Sequence, residues 1–250
     1  MELNVVQSGK GSSVILIHGL GGNLGSWDIV ADQLEKRFRV TRYDLRGHGR
    51  SGNPPGPWTL DDFIDDLKDI TEKYALKKFH LVGFSLGGLI SQGFTLKYPA
   101  LVEKLVIISA VAGRTNQERN KVVQRVKNLE NGDIDTNIEL ALERWFSPAF
   151  RANHPEKVAQ RLNTLKSNNP RGYLNAYRVF GHGDLAEELH HINSPTLIIT
   201  GEHDPGSNVR MSELMHQKIK NSQLEILPGL RHSLLVESPE TVANKLDNFL

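Results

Sequence analysis

Gly83-Phe84-Ser85-Leu86-Gly87 follows the apolar run Phe79-His80-Leu81-Val82 and opens a stretch, Leu86 to Lys97, that reads as a helix. A buried strand passing through a sharp turn into a helix leaves the central side chain of that turn exposed at the sheet edge. Gly83 and Gly87, with Gly88 behind them, stand where such an elbow needs backbone without a Cβ. Ser85 is therefore the candidate nucleophile, and the rest of the chain can be read for what would activate it.

Outward from the elbow, short β-branched runs alternate with amphipathic stretches over the first 110 residues, the pattern of βαβ units and a doubly wound, mostly parallel sheet. Val14 to Ile17, Phe38 to Tyr43, Leu105 to Ile108, Pro195 to Thr200 and Gln223 to Leu227 are expected strands. Ser26 to Lys36, Trp58 to Tyr74 and a segment from about Pro239 to the C-terminus are expected helices. In the second of these, Leu60, Phe63, Ile64, Leu67 and Ile70 form an apolar stripe. Asp61, Asp62, Asp65, Asp66 and Asp69 lie opposite and read as a solvated face.

From Ala112 to about His191 the alternation stops. Apolar residues recur instead at helical spacing through Val122-Val126-Leu129, Ile138-Leu142-Trp145-Phe146 and Val158-Leu162-Leu165, with Pro148, Pro155 and Pro170 dividing the helices. The expected organisation is a core of residues 1–111 and 192–250 carrying a helical cap at 112–191.

A serine hydroxyl is a poor nucleophile at neutral pH and needs a general base, itself oriented by a third group. His232 falls just past the last expected strand and would carry the proton. Asp204, in Thr200-Gly201-Glu202-His203-Asp204-Pro205, falls just past the strand before it and would orient the imidazole. Glu202 and Asp184 are its rivals, although Glu202 lies two residues nearer the strand, where its side chain should point away. All three chosen residues sit at carboxyl ends of strands, where open parallel sheets bind ligands. The backbone N–H of Leu86 supplies one oxyanion donor, and His18-Gly19-Leu20-Gly21-Gly22 after the first strand supplies the second, at Leu20. His18 is expected to tie down that loop. Tyr43 to Ser51 reads as a hydrogen-bonded loop in which Asp44 and Arg46 are candidate partners.

Composition narrows the function. Thirty basic and twenty-nine acidic side chains give a net charge of +1 in 250 residues, with no long run of either sign, and no nucleic acid or membrane partner is expected. There is no cysteine, which excludes disulfides, thiolate metal sites and a cysteine nucleophile. No run approaches the ~18 apolar residues of a membrane span, and the start lacks a secretory pattern, so a cytoplasmic protein is expected. The adjacent His190 and His191 cannot easily share one ion, and no metal or cofactor is expected.

These motifs resemble the α/β-hydrolase superfamily over nearly the whole length: HGLGGN from His18, DLRGHGRS from Asp44, GFSLGG from Gly83, GEHDP from Gly201 and the late His232. The short cap and DLRGHGRS look most like the group of 3-oxoadipate enol-lactonases, small carboxylesterases and cofactor-free haloperoxidases. The resemblance implies Ser85, Asp204 and His232 as triad and the amides of Leu20 and Leu86 as oxyanion hole. Haloalkane dehalogenases, similar in fold, place an aspartate where this chain has Ser85. The expected activity is hydrolysis of a small carboxylic ester or lactone. Carbon-carbon bond hydrolysis of vinylogous diketones and a slow-turnover ligand receptor are the alternatives. Trp27, Trp145 and Phe146, with Phe150 and Tyr177, are candidates to line an apolar pocket, and Arg114, Arg119 and Arg144 are candidates to meet a substrate carboxylate.

Overall fold

The computed structural model describes residues 1–132 and 134–250, with side chains omitted for 134–137. Seven strands make one sheet: β1 (Val5–Ser8), β2 (Ser12–Ile17), β3 (Phe38–Tyr43), β4 (Phe79–Phe84), β5 (Val102–Ile108), β6 (Thr196–Gly201) and β7 (Ser222–Leu227). Their spatial order is β1-β3-β2-β4-β5-β6-β7, and every pairing is parallel except β1 against β3. β4 lies at the centre, so the Ser85 turn opens from the middle of the sheet.

Period-two alternation along each strand divides the core into two layers. Ile15, Ile17, Leu81, Leu105 and Ile107 face one layer, which α2 (Leu60–Lys73), α3 (Leu86–Lys97) and α9 (Val209–Lys218) cover with Phe63, Leu89 and Met215. Val14, Leu16, Val82, Val106 and Ile108 face the other, which α1 (Asp28–Leu34) and α11 (Pro239–Phe249) cover with Val30 and Val242. The doubly wound expectation therefore matches the observed sheet.

Between β5 and β6 the chain forms α4 (Asn116–Glu130), α5 (Ile134–Trp145), α6 (Pro148–Asn153), α7 (Pro155–Lys166) and α8 (Pro170–His182). Pro148, Pro155 and Pro170 each open a helix, where the missing N–H has no intrahelical partner to lose. The short α10 (Leu234–Glu237) follows the β7 loop. No helix among the described residues is long and apolar enough to cross a membrane.

Local expectations fail in five places. Ser26 to Lys36 is not one helix: a 3₁₀ turn at Leu24–Trp27, capped by Asn23, precedes α1. β1 and α9 were not anticipated. The acidic stripe of α2 is not wholly solvated, because Asp66 is buried and takes two bonds from Arg46, at 2.7 and 2.8 Å. Arg46 also reaches the Asp62 carboxylate at 2.9 Å and its carbonyl at 2.7 Å. Arg46 thus pairs with α2 and not with Asp44, which instead accepts the backbone N–H of Leu24 at 2.7 Å and of Arg50 at 2.8 Å. A short carboxylate beside a glycine turn finds backbone donors first, whereas the long arginine reaches the next helix.

Candidate active site

Loops at the carboxyl ends of β4, β6 and β7 converge on Ser85. Its backbone has φ 55° and ψ −113°, a region that residues with a Cβ rarely occupy and that costs about 1–3 kcal/mol. The neighbouring strand helps hold it there: the Ser85 N–H donates to Ile108 O at 2.8 Å. The Ser85 carbonyl accepts from the N–H groups of Gly88 and Leu89 at 2.9 and 3.1 Å. Close packing demands the flanking glycines, since a Cβ on Gly83 would lie 2.2 Å from Gly87 O, and one on Gly87 would lie 2.3 Å from Ile17 O.

The β6 and β7 loops are fastened together before either presents a side chain. Glu202 N–H donates to Leu227 O and His203 N–H to Leu230 O, both at 2.9 Å. Asp204 Oδ1 then accepts the N–H groups of Gly206 and Ser207 at 2.8 and 3.0 Å, which orients the carboxylate. Its Oδ2 lies 2.6 Å from His232 Nδ1, and His232 Nε2 lies 3.1 Å from Ser85 Oγ. A carboxylate accepts only, so Nδ1 carries the proton and Nε2 is left to accept from the serine. The Asp204 side chain is fully buried, which strengthens its hold on the ring. Neither rival carboxylate approaches the imidazole. Glu202 accepts the Gly229 N–H at 2.8 Å, and Asp184 accepts from Gly113 and Arg114 at 2.8 and 3.0 Å and pairs with Arg119.

Two buried histidines fix the loop after β2. Leu45 N–H donates to His18 Nε2 at 2.9 Å, and Gly21 N–H donates to His48 Nε2 at 3.0 Å. Each ring therefore carries its proton on Nδ1, donated to Gly19 O at 2.8 Å and to Arg46 O at 3.0 Å. Burial, with the neighbouring His48, lowers the His18 pKa to about 3, and burial lowers that of His48 to about 4. Both rings are neutral braces. A Cβ on Gly19 would come within 3.0 Å of the Ser85 Cβ, so the braced loop abuts the nucleophile. The Leu20 N–H has no acceptor among the described residues, and Leu86, first in α3, has no intrahelical acceptor. Two N–H donors are thus left unused beside a serine whose hydroxyl faces an imidazole.

The cavity over Ser85 holds about 60 Å³. Leu20, Phe84 and His232 line it from the core, and Arg144, Trp145 and Tyr173 from the helical insert. Trp145 lines this cavity, and Trp27 and Phe146 do not. Trp27 is fully buried beneath α1 among Val14, Leu16 and Val30. Phe146 is fully buried, stacked on Phe150 with ring centroids 5.5 Å apart and edge-on to Trp145, inside the apolar cluster of the helical insert. Of the three suggested arginines only Arg144 reaches the cavity. Arg114 donates to the carbonyls of Gly181 and Gly183, and Arg119 pairs with Asp184. Arg125, Arg161 and Tyr177 also line the cavity, and the two arginines were not anticipated. Their signal was present: Arg125 and Arg161 stand three residues beyond Val122 and Val158, on the flank of an apolar helix stripe where a cation is out of place.

A profile of the α/β hydrolase fold matches residues 12–239. The chain belongs to the α/β hydrolase family. It is 32% identical over 248 residues to (E)-2-((N-methylformamido)methylene)succinate hydrolase of Acinetobacter baylyi, covering 98% of this chain and 92% of that protein. It is 28% identical over 246 residues to 3-oxoadipate enol-lactonase 2 of the same organism, covering 96% and 90%. The crystal structure of the enol-lactonase from Burkholderia xenovorans superposes with a TM-score of 0.93 at 24% identity, covering 99% of this chain and 95% of that one, a likeness of fold. In this α/β hydrolase the insert grips the histidine loop directly. His232 N–H donates to Arg144 O at 3.4 Å, Ser233 N–H donates to Trp145 O at 2.9 Å, and Ser147 Oγ–H donates to Glu237 at 2.7 Å.

Proposed function

We propose that this α/β hydrolase is a serine hydrolase of small carboxylic esters or lactones, with Ser85, His232 and Asp204 as its triad and the insert, residues 112–191, as a cap over the site. The observation that carries the reading is the continuous chain from Ser85 Oγ through both ring nitrogens of His232 to the buried Asp204, at 3.1 and 2.6 Å. Ser85 attacks the acyl carbon as His232 Nε2 takes its proton, and Asp204 stabilises the imidazolium that forms. The tetrahedral oxyanion takes the N–H groups of Leu20 and Leu86, and the first of these is held in place by the His48 and Arg161 bonds to the next peptide unit. The imidazolium then protonates the leaving oxygen. Water, deprotonated by the same ring, attacks the acyl-enzyme and releases the acid.

The enol-lactonase named above acts on a lactone, as its name states, and the small cavity suits a short acyl group better than a long one, since pockets for drug-sized ligands measure roughly 300 Å³ or more. The test is steady-state hydrolysis of p-nitrophenyl esters from acetate to decanoate, with a panel of small lactones, by wild type and Ser85→Ala. Cleavage of short chains or lactones that Ser85→Ala abolishes is expected. Activity retained in the purified, folded variant overturns the reading.

A further inference from the structure

Two of the arginines that line the catalytic cavity, Arg144 and Arg161, have no counter-charge among the described residues. Arg161, from α7, donates to Gly21 O at 2.9 Å and to Leu20 O at 3.2 Å, and its guanidinium lies 4.2 Å from the Trp145 ring centroid. Two carbonyls occupy two of its five N–H donors and supply no negative charge. Arg144, at the end of α5, donates to Leu140 O at 2.8 Å. Among the described residues no carboxylate lies within ion-pairing distance of either guanidinium. The nearest acid that lines the cavity, Asp204, is already committed to His232 and to the N–H groups of Gly206 and Ser207. Burial lowers the pKa of Arg161 to about 10 and lowers that of Arg144. A cation withdrawn from water without a counter-charge is costly, and folded proteins keep such groups where something pairs with them.

We propose that Arg144 and Arg161 form an anion subsite and that the substrate bears a carboxylate beside its scissile ester or lactone. Arg144 and Arg161 both line the cavity that holds Ser85. The Arg161 guanidinium is bound to the Leu20 carbonyl and the Arg144 backbone carbonyl holds the His232 N–H, so both arginines are anchored to loops that flank Ser85, and an anionic group held in this cavity lies close to the reacting acyl carbon. Planar guanidinium forks match carboxylate geometry. The tyrosines of α8 complete the wall: Tyr173 and Tyr177 both line the cavity and offer hydroxyl donors to the same anion. The inference rests on the serine-hydrolase reading for the bond that breaks, but not for the charge that is recognised.

The test separates the two. Monomethyl succinate carries its carboxylate on the acyl side, with methyl 4-oxopentanoate as a neutral counterpart of the same shape. O-acetylglycolate carries it on the alcohol side, with acetoxyacetone as the counterpart. Wild type is expected to prefer one charged member of these pairs by about 10²-fold or more in kcat/KM, as deletion of a buried charge partner typically costs. Arg144→Gln should bring that ratio below about 10, and Arg161→Lys, which keeps the charge but loses the fork, should lower it partially. A purely structural role for the arginines would depress charged and neutral esters alike and leave the ratio unchanged. In a second arm, succinate should raise the melting temperature of Ser85→Ala at constant ionic strength and fail to raise that of Ser85→Ala/Arg144→Gln. Succinamide should raise neither. Ser85-dependent cleavage with no charge preference, and no succinate shift, overturns the subsite and leaves the hydrolase reading standing. An Arg144-dependent succinate shift without Ser85-dependent cleavage supports the subsite and overturns the hydrolase reading.

Discussion

His48 and Gly21 lie 27 residues apart in the chain, and His48 Nε2 accepts the Gly21 N–H at 3.0 Å. With His18 doing the same for Leu45, two neutral rings tie the loop beside Ser85 to the segment that follows β3. The arrangement makes acid the natural enemy of this loop. A histidine in the unfolded chain takes up its proton near pH 6.5, whereas His48 and His18 resist until about pH 4 and about pH 3. Between those values the unfolded chain binds more protons, so stability rises with pH. The contribution is complete above about pH 6.5 and is lost as pH falls toward 4 and then 3. Each histidine adds a slope of about 1.4 kcal/mol per pH unit within its window. In urea unfolding between pH 6 and 4.5, His48→Gln should show a slope smaller by about that amount. An unchanged slope would mean that His48 is protonated in the native state.

Gly87→Ala should be among the most damaging single-methyl additions in the protein. The new Cβ would meet Ile17 O at 2.3 Å and His18 O at 2.8 Å, both backbone atoms of the strand end that leads into the braced loop. Overpacking ordinarily costs about 1–3 kcal/mol, and here no side chain can swing away, so a loss of at least about 3 kcal/mol is expected. Denaturant unfolding measures it. Gly229→Ala, where a Cβ meets no atom within 4 Å but φ is +70°, should cost about 1–2 kcal/mol through backbone strain alone.

Those glycines also show why the elbow was legible and the cavity was not. Gly83, Ser85 and Gly87 meet the close approach of both neighbouring strands, at Ile17 O and Ile108 O, through one fixed local spacing, and a short motif reports such a spacing directly. Strand ends could be placed for the same reason, and with them Asp204 and His232. β1 escaped because its four residues include Gln7 and Ser8 and pair only at a sheet edge, which leaves little apolar alternation to read. Trp27 and Phe146 failed as pocket residues because composition cannot say which side of a helix end faces the nucleophile. The partner of Arg46 failed for a related reason: Asp66 is 20 residues away, and only the packing of α2 against the Tyr43 to Ser51 loop brings it within 2.7 Å.

That ion pair supports a third prediction. Arg46 is enclosed between the rings of Trp58 and Phe63, with centroids 5.8 and 5.5 Å from its guanidinium carbon, and is bound by both Asp62 and Asp66. Removing one member of a buried pair strands the other, at a typical cost of about 3–5 kcal/mol. Asp66→Ala should therefore destabilise the fold by that order in denaturant unfolding. Asp62→Ala, whose side chain is 38% exposed, should cost less than about 2 kcal/mol, mostly through loss of the bond its carboxylate accepts from the Thr59 N–H at 2.7 Å. Equal costs for the two would show that Arg46 relies on both carboxylates alike.

Asp204→Asn tests the proposed triad at the point where geometry and protonation can be separated. The amide has nearly the shape of the carboxylate, and its oxygen can keep the N–H groups of Gly206 and Ser207 at Oδ1, 2.8 and 3.0 Å away in the wild type. The NH₂ then faces His232 Nδ1, now 2.6 Å from Oδ2. A donor there forces Nδ1 to accept, which moves the ring proton to Nε2 and points it at Ser85 Oγ. The base loses its lone pair without any loss of packing. A fall in kcat of about 10⁴-fold is expected, with KM little changed and the melting temperature within a few degrees of wild type. Stopped-flow acylation should slow by the same factor as steady-state turnover, because the misplaced proton blocks the first step. A fall of less than about tenfold would remove Asp204 from the triad and leave its buried carboxylate as a clasp between the β6 and β7 loops.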